Sequence, residues 1–230
     1  MKKPARWFKA KRLMFIWTSR ICLFLAFINI AQAQNGAKAV KNRSKGEFHA
    51  LARAGLTTSQ VYGDGFGGYN KLGFTAGVGT YTAISNRFDF QFELNYSTRG
   101  ARKRPTSQDP TTYRIGANYI DIPLLLKTSI SFFELEFGIC NGVYLFHNEA
   151  DNFGRVPKNL HGWQFNRYEL AGNVGINVPI NEKWLVNARF HYSLLPAAGK
   201  LGFVSGFALY GGAYNNVITL SLHRRFRPSN

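Results

Sequence analysis

The sequence contains little cysteine and few acidic residues. Only two cysteines, Cys22 and Cys140, occur among 230 residues, and Cys22 lies in an apolar segment near the N-terminus. If that segment is removed, a single cysteine remains, so an internal disulfide is excluded. Twelve acidic residues stand against 29 lysines and arginines, and the formal net charge is +17.

Long apolar runs are also scarce. The run nearest to a spanning helix is 21–30, and nothing after residue 33 approaches the roughly 20 apolar residues that such a helix needs. If the protein crosses a membrane, we therefore expect strands to do so. The length after residue 33 is suited to one domain.

The first 33 residues have the pattern of an export signal. A basic, acid-free front precedes the apolar run, which ends in the small-x-small sequence Ala31-Gln32-Ala33. The alternative, an N-terminal membrane anchor, is disfavoured because ten apolar residues are too few to span. We therefore predict a signal peptide over 1–33, cleaved after Ala33. Its seven cations leave with it, which lowers the formal net charge from +17 to +10.

Both ends of the remaining chain are predicted to be tails. Residues 34–46 are polar, basic and without periodicity, which is typical of a flexible segment, here on the periplasmic side. Residues 227–230 follow the last predicted strand and form a short C-terminal tail.

Residues 87–97, RFDFQFELNYS, show strict alternation of apolar and polar side chains. Successive side chains of a strand point to opposite faces, so Phe90 and Phe92 share an apolar face while Glu93 lies on a polar one. Behind an export signal, a repeated pattern of this kind favours a barrel whose apolar face meets lipid.

Eight segments follow this code, and their connections are alternately short and long. The predicted strands are 47–58, 71–82, 87–97, 113–127, 132–146, 164–178, 184–194 and 214–226. The count and the alternation predict an eight-stranded antiparallel transmembrane β-barrel over 47–226, with short turns on the periplasmic side. Within 113–127, Pro123 cannot donate a ladder hydrogen bond, so we expect a bulge or strand end near it.

Several motifs resemble a known family. They are GLTTSQ at 55–60, KLGFTAGV at 71–78, FQFELNYSTRG at 90–100, NYIDIPLLLK at 118–127 and VITLSLHRRF at 217–226. This set is similar to the PorT-like outer-membrane β-barrel domain of Bacteroidetes. The resemblance covers about 48–226. The resemblance implies an eight-stranded barrel in the outer membrane. It implies little about activity; the name-giving member of the family assists type IX secretion.

The predicted polar faces contain charges of both signs, and an eight-stranded barrel has little room beyond its own side chains. Because isolated buried charges are costly, we expect these charges to pair and to close the interior, which disfavours an open pore. The inward set is Asp89, Glu93, Asp121, Glu134, Glu136 and Glu169 with Arg53, Arg167, Arg189 and Arg225.

One catalytic pattern is present. The sequence 189–193, RFHYS, resembles the R-x-H-Y-S stretch of outer-membrane lipid A 3-O-deacylases, in which the histidine and serine are base and nucleophile. Strand alternation points His191 and Ser193 inward, Leu194 replaces that family's asparagine, and no other segment matches. We therefore predict that the protein is not an enzyme and keep a lipid A-modifying hydrolase as the alternative.

Two long connections contain candidate binding residues. Arg99, Arg102, Lys103 and Arg104 could bind lipopolysaccharide phosphates from the second long loop, or could simply keep that loop soluble. His147, Glu149, Asp151 and His161 could chelate a divalent cation, but solvated loop residues are the preferred interpretation, so no metal or other cofactor is predicted.

The last long connection, 195–213, is apolar. It could continue the strands beyond the membrane or form a docking surface for a partner, through Leu201, Phe203, Val204, Phe207 and Leu209.

These patterns predict location more closely than activity. We expect a bacterial outer-membrane protein in contact with lipid and lipopolysaccharide, acting through its loops as a scaffold or as an accessory of envelope assembly or secretion. Export argues against nucleic acid as a partner. The residues do not identify a specific protein partner.

Overall fold

A computed structural model describes residues 45–199 and 211–226. The predicted signal peptide, residues 34–44 of the tail and residues 227–230 lie outside the described residues. The strands are β1 (Phe48–Tyr62), β2 (Lys71–Ala83), β3 (Phe88–Lys103), β4 (Tyr113–Ile130), β5 (Phe133–Asp151), β6 (Gly154–Arg155), β7 (Tyr168–Pro179), β8 (Trp184–Ser193) and β9 (Tyr214–Arg225). A 3-10 turn, Lys158–Leu160, follows β6. Within these ranges, no helix is long and apolar enough to cross a membrane.

Eight of the strands form a closed antiparallel barrel, which confirms the predicted fold. The sheet order is β4-β3-β2-β1-β9-β8-β7-β5, and pairing of β4 with β5 closes the ring. The first and last strands of the ring, β1 and β9, pair along residues 51–62 of β1, with Leu56 opposite Leu220. The two-residue β6 is an addition to the end of β5. Closure leaves the ring without an open edge.

The predicted alternation of faces is also confirmed. Leu72 and Phe74 point outward and are 76% and 50% exposed, whereas Glu93 and Glu136 point inward and are fully buried. Exposed apolar residues cover the outer wall, and polar residues fill the inside. This inverts the arrangement of a soluble protein and suits a wall that faces lipid.

The three short turns all lie at one end of the barrel, here called the turn end, and the long connections lie at the other, the loop end. Outward side chains of β3 are apolar from Phe88 to Tyr96, a length that suits one crossing of a bilayer by a tilted strand. Strands β3 and β5 then continue at the loop end for several residues further than predicted, and β4 pairs with both from its predicted start. We call 99–103, 113–117 and 147–151 the extension, and it lies beyond the lipid-facing band.

Strand β4 passes through Pro123 without ending there, contrary to expectation. Pro123 pairs with Cys140 of β5, and the register shift in that pairing lies at Asn118/Tyr119 instead. On the β3 side, pairing stops at Phe92–Leu124 and resumes in the same register at Asn95–Asp121. Since proline has no N–H to donate, the ladder with β3 lacks pairs beside it, while β4 itself continues to Ile130.

A small apolar core closes the loop end. Its buried members come from strands of the ring and from the long connections: Val61, Ala101, Ile115, Trp163, Ala198 and Ala213, with Phe66, Tyr113 and Phe165 packed against them. We call this cluster, with the loops that contribute to it, the cap. Short bridges of Ala198 to Phe165 and to Ala213 tie the loops together. The apolar residues predicted to dock a partner, Leu201 to Leu209, lie outside the described residues.

Candidate functional site

The centre of the barrel is filled by a network around Arg189. Its guanidinium donates to both carboxylate oxygens of Glu93, at 2.8 and 2.9 Å, and through Nε to Glu136 at 2.6 Å. Arg53 donates to the same Glu93 at 2.7 Å. Lys127 lies 3.3 Å from Glu136. Each of these buried ions therefore lies against an ion of opposite sign, as buried ions require.

Arg99 belongs to this interior and not to a loop. Because β3 continues past residue 97, alternation turns Arg99 inward, where it is 2% exposed. It donates to Asp121 at 2.7 Å, lies 3.3 Å from Glu169, and stacks over Tyr119 at 3.8 Å. The prediction that Arg99 contacts lipopolysaccharide is therefore wrong, because a fully buried and paired guanidinium has no route to a lipid outside the wall.

The predicted interior set needs two other changes. Arg167 is exposed, because β7 begins only at Tyr168, and its guanidinium lies 5.8 Å above the Tyr168 ring. Lys127 is an interior cation that sequence reasoning overlooked. Alternation along β4 places it on the same inward face as Asp121 and Leu125, so the signal was present in the sequence. At the turn end, Arg225 forms a salt bridge with Glu134.

Little free space remains between these side chains. A cavity of about 30 Å³ lies among Arg53, Arg99 and Arg189, enough for about two water molecules. In the described part of the chain, the interior therefore forms a packed polar core and not a channel.

His191 and Ser193 both point into this core, as predicted from alternation. Ser193 donates to Glu169 Oε1 at 2.6 Å, and His191 Nε2 lies 3.2 Å from the same oxygen. The serine is fully buried. Its hydroxyl is thus held by a carboxylate, whereas a nucleophile would donate its proton to the histidine that acts as base. The two side chains share a partner but do not form a catalytic pair.

Arg102, Lys103 and Arg104, the other three residues predicted to bind lipopolysaccharide, lie at the loop end. Arg102 and Arg104 are exposed, and Lys103 Nζ forms a salt bridge of 2.5 Å with Asp109 and a 2.7 Å hydrogen bond to Thr111. Arg102 is placed opposite Arg114 in the pairing of β3 with β4, so the two side chains share one face of the sheet. A lipopolysaccharide contact by these three residues stays a prediction.

A groove on the outside of the wall adds cations that sequence reasoning missed. It has a volume of about 640 Å³, runs across β2 to β6, and is lined by Lys71, Arg114 and Arg155 above the apolar Leu72 and Phe74. These cations are far apart in sequence, and only the ring brings them together. The arrangement places positive charge directly beyond the lipid-facing band.

A second cluster lies inside the cap. His147 and Glu149 are on the extension of β5, His161 is in the following loop, and one ligand atom from each lies within 4.8 Å of the others. His147 Nε2 is 3.1 Å from Glu149 Oε1, and the two imidazole rings are 4.6 Å apart. Asp151, the fourth predicted residue, instead accepts a hydrogen bond from Phe153 N. His147, Glu149 and His161 are therefore not separate solvated loop residues, as was expected, but form one cluster.

The protonation of this cluster follows from its surroundings, which lie beyond the lipid-facing band. Burial lowers the pKa of His147, and the neighbouring His161 lowers it further. Burial alone would raise the pKa of Glu149, but hydrogen bonds from Tyr113 and from the Gly162 and Trp163 amides outweigh it and hold the pKa below its usual value. The histidine therefore favours its neutral form and the glutamate its ionised form.

Comparison with known proteins finds a matching family and several similar solved structures. A family model described as outer membrane protein beta-barrel domain matches residues 31–198. Solved structures of similar fold include Ail, the attachment invasion locus protein of Yersinia pestis, at 15% identity and a TM-score of 0.45, covering 78% of this chain and 99% of that one. Neisserial surface protein A has 11% identity and a TM-score of 0.42, and the match covers 78% of this chain and 97% of that one. OprG from Pseudomonas aeruginosa has 11% identity and a TM-score of 0.41, and the match covers 82% of this chain and 99% of that one.

No curated protein matches the sequence. The family model covers well over half of the chain. The protein therefore belongs to the outer membrane protein beta-barrel domain family, and its place is the bacterial outer membrane.

Proposed function

We propose that this protein is a non-enzymatic scaffold of the outer membrane that acts through its loop end, in contact with lipopolysaccharide and with other envelope proteins. The observation on which the proposal rests is a contrast between its two parts. The interior is filled by paired charges, whereas the loops fold over an apolar core into a cap beyond the wall. A closed barrel with a folded cap suits binding better than transport.

The distribution of charge supports lipopolysaccharide as one partner. Arg102 and Arg104 are exposed, and Lys71, Arg114 and Arg155 line the groove above the lipid-facing band. In this proposal the loop end faces the cell exterior, as the long loops of outer-membrane barrels do. The cations then meet the phosphates of lipid A, which guanidinium groups bind through paired hydrogen bonds.

The resemblance of the strand motifs to PorT-like barrels supports an accessory role in secretion. NYIDIPLLLK at 118–127 is the most specific of these motifs, and it forms the lipid-crossing part of β4. We therefore propose that the partner is a component of an envelope assembly or secretion machine. The alternative, a lipid A hydrolase using His191 and Ser193, is disfavoured because both side chains are buried and bound to Glu169.

The lipid contact is tested with matched charge reversals at the two ends of the barrel. The loop-end variant combines R102E and R114E, and its control combines R87E and K183E in the short turns. Each purified protein is titrated with micelles of lipopolysaccharide and of the same lipid after dephosphorylation. We expect the loop-end variant to bind phosphorylated lipid at least tenfold more weakly and the control to bind like the wild type. Equal weakening by both variants, or binding indifferent to phosphate, would contradict the lipid contact.

The scaffold role is tested in a strain that lacks the protein. Secreted proteins, envelope permeability and lipid A are compared after complementation with the wild type, the loop-end variant or S193A. We expect a secretion or envelope defect that the wild type and S193A restore and the loop-end variant does not. A lipid A acylation change that depends on Ser193 would replace the scaffold by the hydrolase.

A further inference from the structure

We propose that His147, Glu149 and His161 bind one divalent transition-metal ion, zinc being the best fit, and that this ion fastens the long β5–β7 connection to the barrel. The inference concerns a site distinct from the proposed lipopolysaccharide contacts. It rests on three independent observations: the convergence of the ligand atoms, the hydrogen bonds that orient them, and a buried carboxylate that forms no salt bridge with a lysine or arginine of the described residues.

The three side chains converge although two of them come from a strand and one from a loop. Alternation along the extension of β5 turns both His147 and Glu149 inward, and the loop folds His161 back over them. The 3.1 Å separation of His147 Nε2 and Glu149 Oε1 is close to the spacing of about 3.3 Å between ligands bound tetrahedrally at 2.0–2.1 Å. His161 lies on the loop side, so a small movement of the loop completes the set.

Each ligand is oriented by a hydrogen bond made with its other polar atom. His147 Nδ1 is 2.6 Å from the Tyr144 hydroxyl, and His161 Nε2 is 3.2 Å from the Val156 carbonyl. Glu149 Oε2 accepts from the Tyr113 hydroxyl and, at 3.2 Å, from the Gly162 amide. Metal-binding histidines are usually held in this way, with one nitrogen fixed by the protein and the other on the ion.

The surroundings of Glu149 are a further indication of a cation. The interior carboxylates of Glu93, Asp121, Glu136 and Glu169 each form a salt bridge with arginine or lysine. Glu149 is 1% exposed, yet among the described residues its only ion-pair partner is His147. No lysine or arginine of the described residues forms a salt bridge with it, and a buried carboxylate needs a cation close by. A divalent ion between the three groups supplies it.

The donor set determines the class of ion. Two imidazoles and one carboxylate suit zinc and its neighbours among the late first-row metals, whereas calcium and magnesium prefer oxygen ligands throughout. Three protein ligands leave a fourth tetrahedral position for water. Apolar rings adjoin the site, with Phe165 5.1 Å from the His147 ring, so the ion would be held in a sheltered environment.

The site is tested by zinc titration of the folded protein, purified from membranes without a histidine tag and freed of metal with EDTA. Calorimetry with zinc chloride is run on the wild type, H161A, Y144F and the control H49A, which removes a histidine near the turn end. Cobalt absorption reports the coordination directly, since four-coordinate cobalt has intense visible bands. The heat-dependent gel mobility of each variant verifies that the barrel is folded.

We expect one zinc ion per wild-type chain. H161A should lower the affinity by more than tenfold, because a ligand is lost, and Y144F by about tenfold, because His147 is no longer oriented. H49A should bind like the wild type. Absence of zinc binding by the wild type, or equal binding by H161A and H49A, would overturn the proposal.

Proteolysis gives a second measurement, because Arg155 and Lys158 lie in the connection that the ion would fasten. Zinc should slow tryptic cleavage at these residues several-fold in the wild type and have no such effect in H161A. Equal cleavage rates of the wild type with and without zinc would show that the ion does not fasten the loop.

Discussion

Arg189 of β8 crosses the barrel interior to bind Glu93 of β3 through two parallel hydrogen bonds of 2.8 and 2.9 Å. The two strands are not neighbours in the ring, so this pair ties opposite walls together. Arg53 shares the same carboxylate, so one anion contacts two guanidinium groups. Loss of Glu93 would leave both guanidinium groups short of a counter-charge.

We predict that E93A lowers the free energy of unfolding by about 3–5 kcal/mol, the usual cost of removing one partner of a buried ion pair. Urea unfolding in lipid vesicles, followed by tryptophan fluorescence, measures it. The control is E182A in the exposed β7–β8 turn, for which we expect a change below about 0.5 kcal/mol. Similar values for the two variants would show that the interior network contributes little to stability.

The lipid-facing position of Phe92 leads to a second prediction. Phe92 is 39% exposed on the outer wall near the middle of the apolar band, so F92R should cost roughly 2–4 kcal/mol in a bilayer. F92L, which keeps the site apolar, is the control. In a C140S background, a lipid-soluble thiol reagent should label F92C and not E93C. Labelling of position 93 alone would show that the register of β3 is wrong.

The packed interior predicts the absence of a stable channel. Planar bilayers containing the wild-type protein should show no steady single-channel conductance, because the cavity among Arg53, Arg99 and Arg189 holds only about 30 Å³. S193A should leave the conductance and lipid A unchanged and lower stability by about 1 kcal/mol through loss of the hydrogen bond to Glu169. Steady conductance steps in the wild type would contradict the closed interior.

Asp64, in the connection between β1 and β2, predicts a dependence on pH. Its carboxylate accepts a hydrogen bond from Phe66 N at 2.7 Å, yet burial raises its pKa to about 7. Between the unfolded pKa of about 4 and the folded value, the folded loop keeps a proton that the unfolded chain has lost. The stability contributed by Asp64 is therefore complete below about pH 4 and falls as the pH rises through 7.

Hydrogen-exchange protection factors of the 63–70 segment, corrected for intrinsic rates, measure this effect. We expect protection to fall between pH 5 and 8 in the wild type. In D64N the amide oxygen can still accept from Phe66 N but the group does not titrate, so protection should be flat over the same range. The same decline in both proteins would assign it to another group.

The sequence by itself determined the wall of this protein. The period-two alternation is a local property, so the outward place of Phe92 and the inward place of Glu93 follow from neighbouring residues alone. The number of strands and the two classes of connection followed in the same way. The inward pointing of His191 and Ser193, and hence the argument against catalysis, was also available from alternation.

Only the tertiary structure decided what lies at the loop end. Where a strand stops depends on its neighbours: β3 continues because β4 pairs with it as far as Lys103, and this turns Arg99 from a loop cation into an interior one. The cations of the groove and the ligands of the proposed metal site come from separate segments that only closure of the ring and folding of the loops bring together. Alternation reports the direction of each side chain, but distances between side chains far apart in the chain are set by packing, which no local pattern contains.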